Sequence, residues 1–91
     1  MPEEVLFSHE AIQSRSEIAV YLRQVAENLD AGEPITLQAG GDSVTLSPPE
    51  QPTFEIKVER EGPADQPGEL SIEFELEWDA DAGDSSGLSI E

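Results

Sequence analysis

The run Leu70-Ser71-Ile72-Glu73-Phe74-Glu75-Leu76-Glu77-Trp78 alternates apolar and polar residues without a break. Successive side chains of a strand point to opposite faces, so a period of two fits a β-strand with one dry and one wet face, and it does not fit a helix. Thr53 to Arg60 repeats the pattern, with Phe54, Ile56 and Val58 on one side and Glu55, Lys57 and Glu59 on the other. Any fold built on these two segments carries an apolar sheet face that needs a cover.

The rest of the chain supplies one candidate cover. Ser14-Arg15-Ser16-Glu17 matches a capping box, in which the Ser14 hydroxyl and the Glu17 carboxylate each satisfy a free backbone N–H. Ile18, Leu22, Val25 and Leu29 then recur at helical spacing, widened by Ala19, Tyr21 and Ala26, and Gly32 and Pro34 stop the segment. The pattern predicts one amphipathic helix over residues 14–31. Ile35, Leu37 and Ala39, then Val44 and Leu46, predict a hairpin across Gly40-Gly41. A two-residue turn pairs Leu37 with Val44 and Ile35 with Leu46; a four-residue loop pairs Leu37 with Leu46 and Ala39 with Val44. Ser47-Pro48-Pro49-Glu50-Gln51-Pro52 reads as a rigid bend, because proline cannot donate to a ladder. Residues 4–8, with Val5 and Phe7 facing inward, are read as a first strand. The expected fold is α+β in the order β-α-β-β-β-β: an antiparallel sheet of four to five strands with the helix packed on one face. Ninety-one residues allow a single domain, assigned to residues 1–78, with an acidic Ser/Gly-containing tail over 79–91 in which Leu88 and Ile90 could dock.

The alternating segment closed by Trp78 resembles the amphi-Trp domain family, and the likeness extends through Glu4-Val5-Leu6-Phe7, the helix, the Gly40-Gly41 hairpin and the Pro48-Pro49 bend, over residues 3–78. The resemblance implies a small soluble domain with no assigned catalytic residues or cofactor.

Charge narrows the partners. Twenty-one Asp and Glu against four Lys and Arg give a formal net charge of −17, and Arg15, Arg23, Lys57 and Arg60 are too dispersed to follow a phosphate backbone, so no nucleic acid is expected. The acid is spread over most segments, as on a surface adapted to multimolar salt, where carboxylates a few ångströms apart hardly feel one another. A coat gathered to hold a basic partner would be more localised. The apolar runs Val5-Leu6-Phe7 and Ile18-Ala19-Val20 fall far short of a membrane span, and the start lacks a basic signal region; a cytoplasmic protein is expected.

No constellation satisfies a catalytic or metal requirement. With no cysteine and one His, an ordinary transition-metal site has few ligands. Ser8-His9-Glu10 are consecutive, so a strand would splay them to opposite faces rather than converge them. Asp79-Ala80-Asp81-Ala82-Gly83-Asp84 reverses the Asp-Gly order of a calcium loop and places Ile90 where its last carboxylate belongs. Gly40-Gly41 has neither the lysine nor the helix of a phosphate loop. Glu73, Glu75 and Glu77, faced by Glu55 and Glu59 around Lys57, read as a solvated face. Catalytic, cofactor-binding and metal residues are therefore none, and the chain is not expected to be an enzyme.

What remains is area. Five strands at about 4.8 Å each span about 24 Å, while a helix is about 10–12 Å across. Phe54, Ile56, Val58, Ile72, Phe74, Leu76 and Trp78 are the candidate interaction residues, and a homodimer or docking to another protein, through this face or through an unpaired strand edge, is the expected use. The alternative is a small apolar ligand held between helix and sheet, near Tyr21 and Trp78.

Overall fold

A computed structural model describes residues 3–80. Among them the fold is α+β, with one helix, α1 (Arg15–Ala31), followed by four strands: β1 (Ile35–Ala39), β2 (Asp42–Leu46), β3 (Thr53–Glu61) and β4 (Glu69–Glu77). The chain divides into two units, Met1–Pro48 and Pro49–Glu91, the first holding α1, β1 and β2 and the second β3 and β4. The docking of Leu88 and Ile90 lies outside the described residues.

In the first unit, α1 starts where its capping signal stands. Ser14 has extended backbone, and its Oγ accepts the Glu17 N–H at 3.1 Å. At the other end Gly32 adopts the left-handed conformation, its N–H donating to Leu29 O while Glu33 N–H donates to Asn28 O, the paired bonds of a Schellman motif. Asn28 then links helix to hairpin. It accepts from Gln24 Nε2 and donates from Nδ2 to Pro34 O, both at 2.8 Å, tying the last turn of α1 to the entry of β1. β1 and β2 pair antiparallel with Ile35 opposite Leu46, Leu37 opposite Val44 and Ala39 opposite Asp42, the register of a two-residue Gly40-Gly41 turn. Only Gly40 of that pair has positive φ, 60°, as the first central residue of a type II′ turn requires. Thr36 and Thr45 add a cross-strand hydroxyl hydrogen bond at 2.9 Å.

Two expectations need correction. Residues 4–8 form no strand; of the two side chains expected inward, Val5 stands exposed and Phe7 is half-buried. Pairing that run with the sheet would close a long loop through the whole helix, whereas β1 and β2 find each other across two residues. The strands also do not form one sheet of four to five; they form two separate two-stranded antiparallel sheets, β1–β2 and β3–β4. The prolines at 48, 49 and 52 end the ladder after β2, and each hairpin satisfies its pairing locally.

The second unit is a longer hairpin. β3 and β4 pair over nine residues each, with Phe54 opposite Leu76, Ile56 opposite Phe74, Val58 opposite Ile72 and Arg60 opposite Leu70. Its loop is organised by Arg60, whose guanidinium donates to four carbonyl oxygens: Gly62 at 3.3 Å, Pro63 at 3.4 Å, Gln66 at 3.1 Å and Pro67 at 3.5 Å. Gln66 N–H closes the turn on Pro63 O at 3.1 Å.

Gly68 completes the loop with φ of 69°. A Cβ there would collide with the Glu61 carbonyl oxygen and stand 2.8 Å from Arg60 Nη1. Gly68→Ala is therefore expected to destabilise the hairpin by roughly 1–2 kcal/mol for the left-handed backbone alone, with the collision adding to it. Gly41→Ala, where an added Cβ meets nothing within 4 Å, should change stability by less than about 0.5 kcal/mol. Urea unfolding midpoints of the two variants decide this, and equal midpoints would contradict the loop's role.

Among the described residues none is buried. The first unit comes nearest to a core at Phe7, Ala19, Val25, Ile35, Ala39 and Val44, all half-buried; the second does so at Pro49, Pro52, Leu76 and Trp78.

Candidate functional site

The β3–β4 register sorts the second unit's side chains into two faces. Alternation puts Phe54, Ile56 and Val58 on the same side as Leu70, Ile72, Phe74 and Leu76. Phe54 and Phe74, diagonal neighbours across the two strands, stack with ring centroids 6.3 Å apart and planes 3° from parallel, an offset arrangement that aromatic pairs favour. Among the described residues of the second unit nothing covers these side chains. Exposure is 58% for Phe54, 57% for Ile56, 67% for Val58, 61% for Ile72 and 52% for Phe74, with Leu76 half-buried.

The other face is carboxylate. Glu55 lies directly opposite Glu75, and oxygens of Glu55, Glu75 and Glu77 lie within 4.8 Å of one another. Hard oxygen donors at that spacing could approach a divalent cation, but all three are exposed and water competes for them. Lys57, opposite Glu73, places its Nζ 3.2 Å from Glu59 Oε1 and 3.9 Å from Glu73 Oε2. The Glu59 hydrogen bond, then the charges of Glu59 and Glu73, hold its ammonium above the ordinary lysine value.

Crowding also moves Glu75. The Glu77 carboxylate beside it, helped by lost hydration and by Glu55 and Glu73, raises its pKa above the ordinary 4.5. A carboxyl whose folded pKa is raised contributes stability when protonated and loses it as pH rises through the raised value. Glu75→Gln should therefore raise the melting temperature at pH 7, where the repulsion is present, and leave it unchanged below the ordinary value, where Glu75 is already neutral. Melting curves at both pH values check this; an equal gain at both would show that charge is not the cause.

Two concavities involve the aromatic residues Trp78 and Tyr21. Trp78, expected in the apolar row, stands one residue beyond β4 and lines an open groove of about 600 Å³ formed by Pro49, Glu50, Gln51 and Thr53 on one side and Glu77 to Asp79 on the other. Tyr21 lines a different cavity, of about 200 Å³, in the first unit, with Phe7, His9, Gln13, Leu37 and neighbouring β1 residues. His9 thus shares a lining with Phe7, Gln13, Tyr21 and β1 residues, none of which is a carboxylate. Two features went unread in the sequence. Arg60 interrupts the apolar parity after Val58, which signalled a separate task for it, and the groove depends on a register that places Thr53 opposite Glu77.

No helix among the described residues is long and apolar enough to cross a membrane. The family model described as Amphi-Trp domain matches residues 1–91, past residue 78 where the sequence likeness was drawn. No curated protein and no solved structure matches the chain.

Proposed function

The chain belongs to the Amphi-Trp domain family, and from that premise we propose that it is a small acidic interaction module that self-associates through the apolar face of β3–β4 and works in the cytoplasm at high salt. The carrying observation is the open row Phe54, Ile56, Val58, Ile72, Phe74 and Leu76 on a two-stranded hairpin. A lone hairpin is marginal in water and needs a packed layer on its apolar face, and apolar patches beyond a few hundred Å² mark contact sites.

A second copy is the occupant best suited to that face. Stacked sheets pack about 10 Å apart, so two hairpins meeting face to face about a twofold axis turn their carboxylate faces outward, on opposite sides of the pair. Those charges then lie beyond the roughly 8 Å Debye length of physiological salt, and the net charge of −17 does not forbid association. In the first unit we assign α1 to cover one face of β1–β2, with the Asn28–Pro34 hydrogen bond supporting that pairing.

Light scattering of the full chain at about 3 M KCl tests the reading. Twice the 9.9 kDa chain mass is expected; a strict monomer would reject it. A second reading, a small apolar ligand near Tyr21, draws on the cavity lined by Phe7, Tyr21 and Leu37. Its volume of about 200 Å³ falls below the usual range of roughly 300–1,000 Å³, which ranks it second.

A further inference from the structure

We propose that the groove beside Trp78 binds a small organic cation of the alkylated-ammonium class. Its volume, about 600 Å³, falls in the range of ligand sites, and its lining combines two kinds of chemistry. Trp78 offers an indole, whose ring face attracts cations more strongly than those of the other aromatic side chains. Glu50, Glu77 and Asp79 bring three carboxylates from two segments of the second unit, and no described lining residue is basic. Like-signed charge in a concave site focuses the field and concentrates ions of opposite sign.

The combination selects among ligands. A neutral apolar molecule would use the indole and Pro49 but gain nothing from the carboxylates. A bare metal ion would use the carboxylates, yet it holds its water too tightly to profit from an indole. An ammonium clothed in methyl groups uses both, because its charge is spread over an apolar skin that gives up water readily. The position is also independent of the association face. Trp78 lies beyond the end of β4, and Glu50 and Asp79 belong to neither strand. The site therefore stands or falls separately from the dimer.

The chain has one tryptophan and one tyrosine, so emission excited at wavelengths that tryptophan absorbs and Tyr21 does not reports on this groove alone. The full chain is titrated with tetramethylammonium chloride, replacing KCl at constant ionic strength. The expected result is a saturable change in emission with a midpoint on the order of 10 mM. tert-Butanol, of similar size and uncharged, should give no saturable change at the same concentrations. The double variant Glu50→Gln, Asp79→Asn lies outside the strands and should keep the far-ultraviolet circular dichroism while its midpoint rises at least about fivefold. A change that grows linearly without saturating, an equal response to tert-butanol, or an unaltered midpoint in the folded double variant would each overturn the proposal. The comparison of the two probes on the unsubstituted chain decides it even if the variant fails to fold.

Discussion

Phe74→Ala is expected to leave the chain monomeric at concentrations where the proposed association would make the unsubstituted chain a dimer. Phe74 sits near the middle of the β3–β4 apolar face, opposite Ile56 and stacked on Phe54, where truncating a buried aromatic typically costs about 2–4 kcal/mol of binding. In a twofold interface each substitution is made twice, so the loss amounts to several decades in dissociation constant. The melting temperature should fall with it, because a hairpin stripped of its packing layer has little else to hold it. Glu73→Gln, one residue away on the opposite face, should leave the mass unchanged. Light scattering and melting of the two variants side by side provide the check, and a dimer that survives Phe74→Ala would remove this face from the interface.

Lowering KCl from about 3 M to about 0.05 M should loosen the fold and reduce the melting temperature by on the order of 10 °C. At molar salt the Debye length is about 3 Å, shorter than most carboxylate spacings; below about 0.1 M it exceeds roughly 10 Å. Glu55, Glu75 and Glu77, within 4.8 Å of one another, would then repel each other and the rest of a chain with net charge −17. Lys57 offsets this only locally, through Glu59 and Glu73. Circular dichroism and melting curves that stay the same across that salt range would contradict salt adaptation.

Local signals in the sequence translated directly into structure. Ser14 and Gly32 bound the helix because capping depends on residues within a turn of each end. The Gly40-Gly41 turn fixed the β1–β2 register, since two residues leave one way to close the ladder. Period-two alternation separated Phe54, Ile56 and Val58 from Glu55, Lys57 and Glu59 before any pairing was known. What was not legible depends on contacts between distant residues. Whether Val5 and Phe7 join a sheet, or whether β2 hydrogen-bonds β3, is decided by pairing free energies that no local pattern carries. The Trp78 groove is of the same kind: Pro49 and Trp78 stand far apart in sequence, and they meet because Arg60 and Gly68 fold a loop that sets Thr53 against Glu77.

The proposed association through β3–β4 would make folding and dimerisation one equilibrium, so thermal stability is expected to depend on how much chain is present. Melting the full chain at high salt over a hundredfold range of concentration measures that dependence. The account predicts a transition temperature that climbs steadily with concentration and loses this climb in Phe74→Ala. A transition temperature identical at every concentration would contradict it, and would place the cover of Phe54, Ile56 and Phe74 within a single chain.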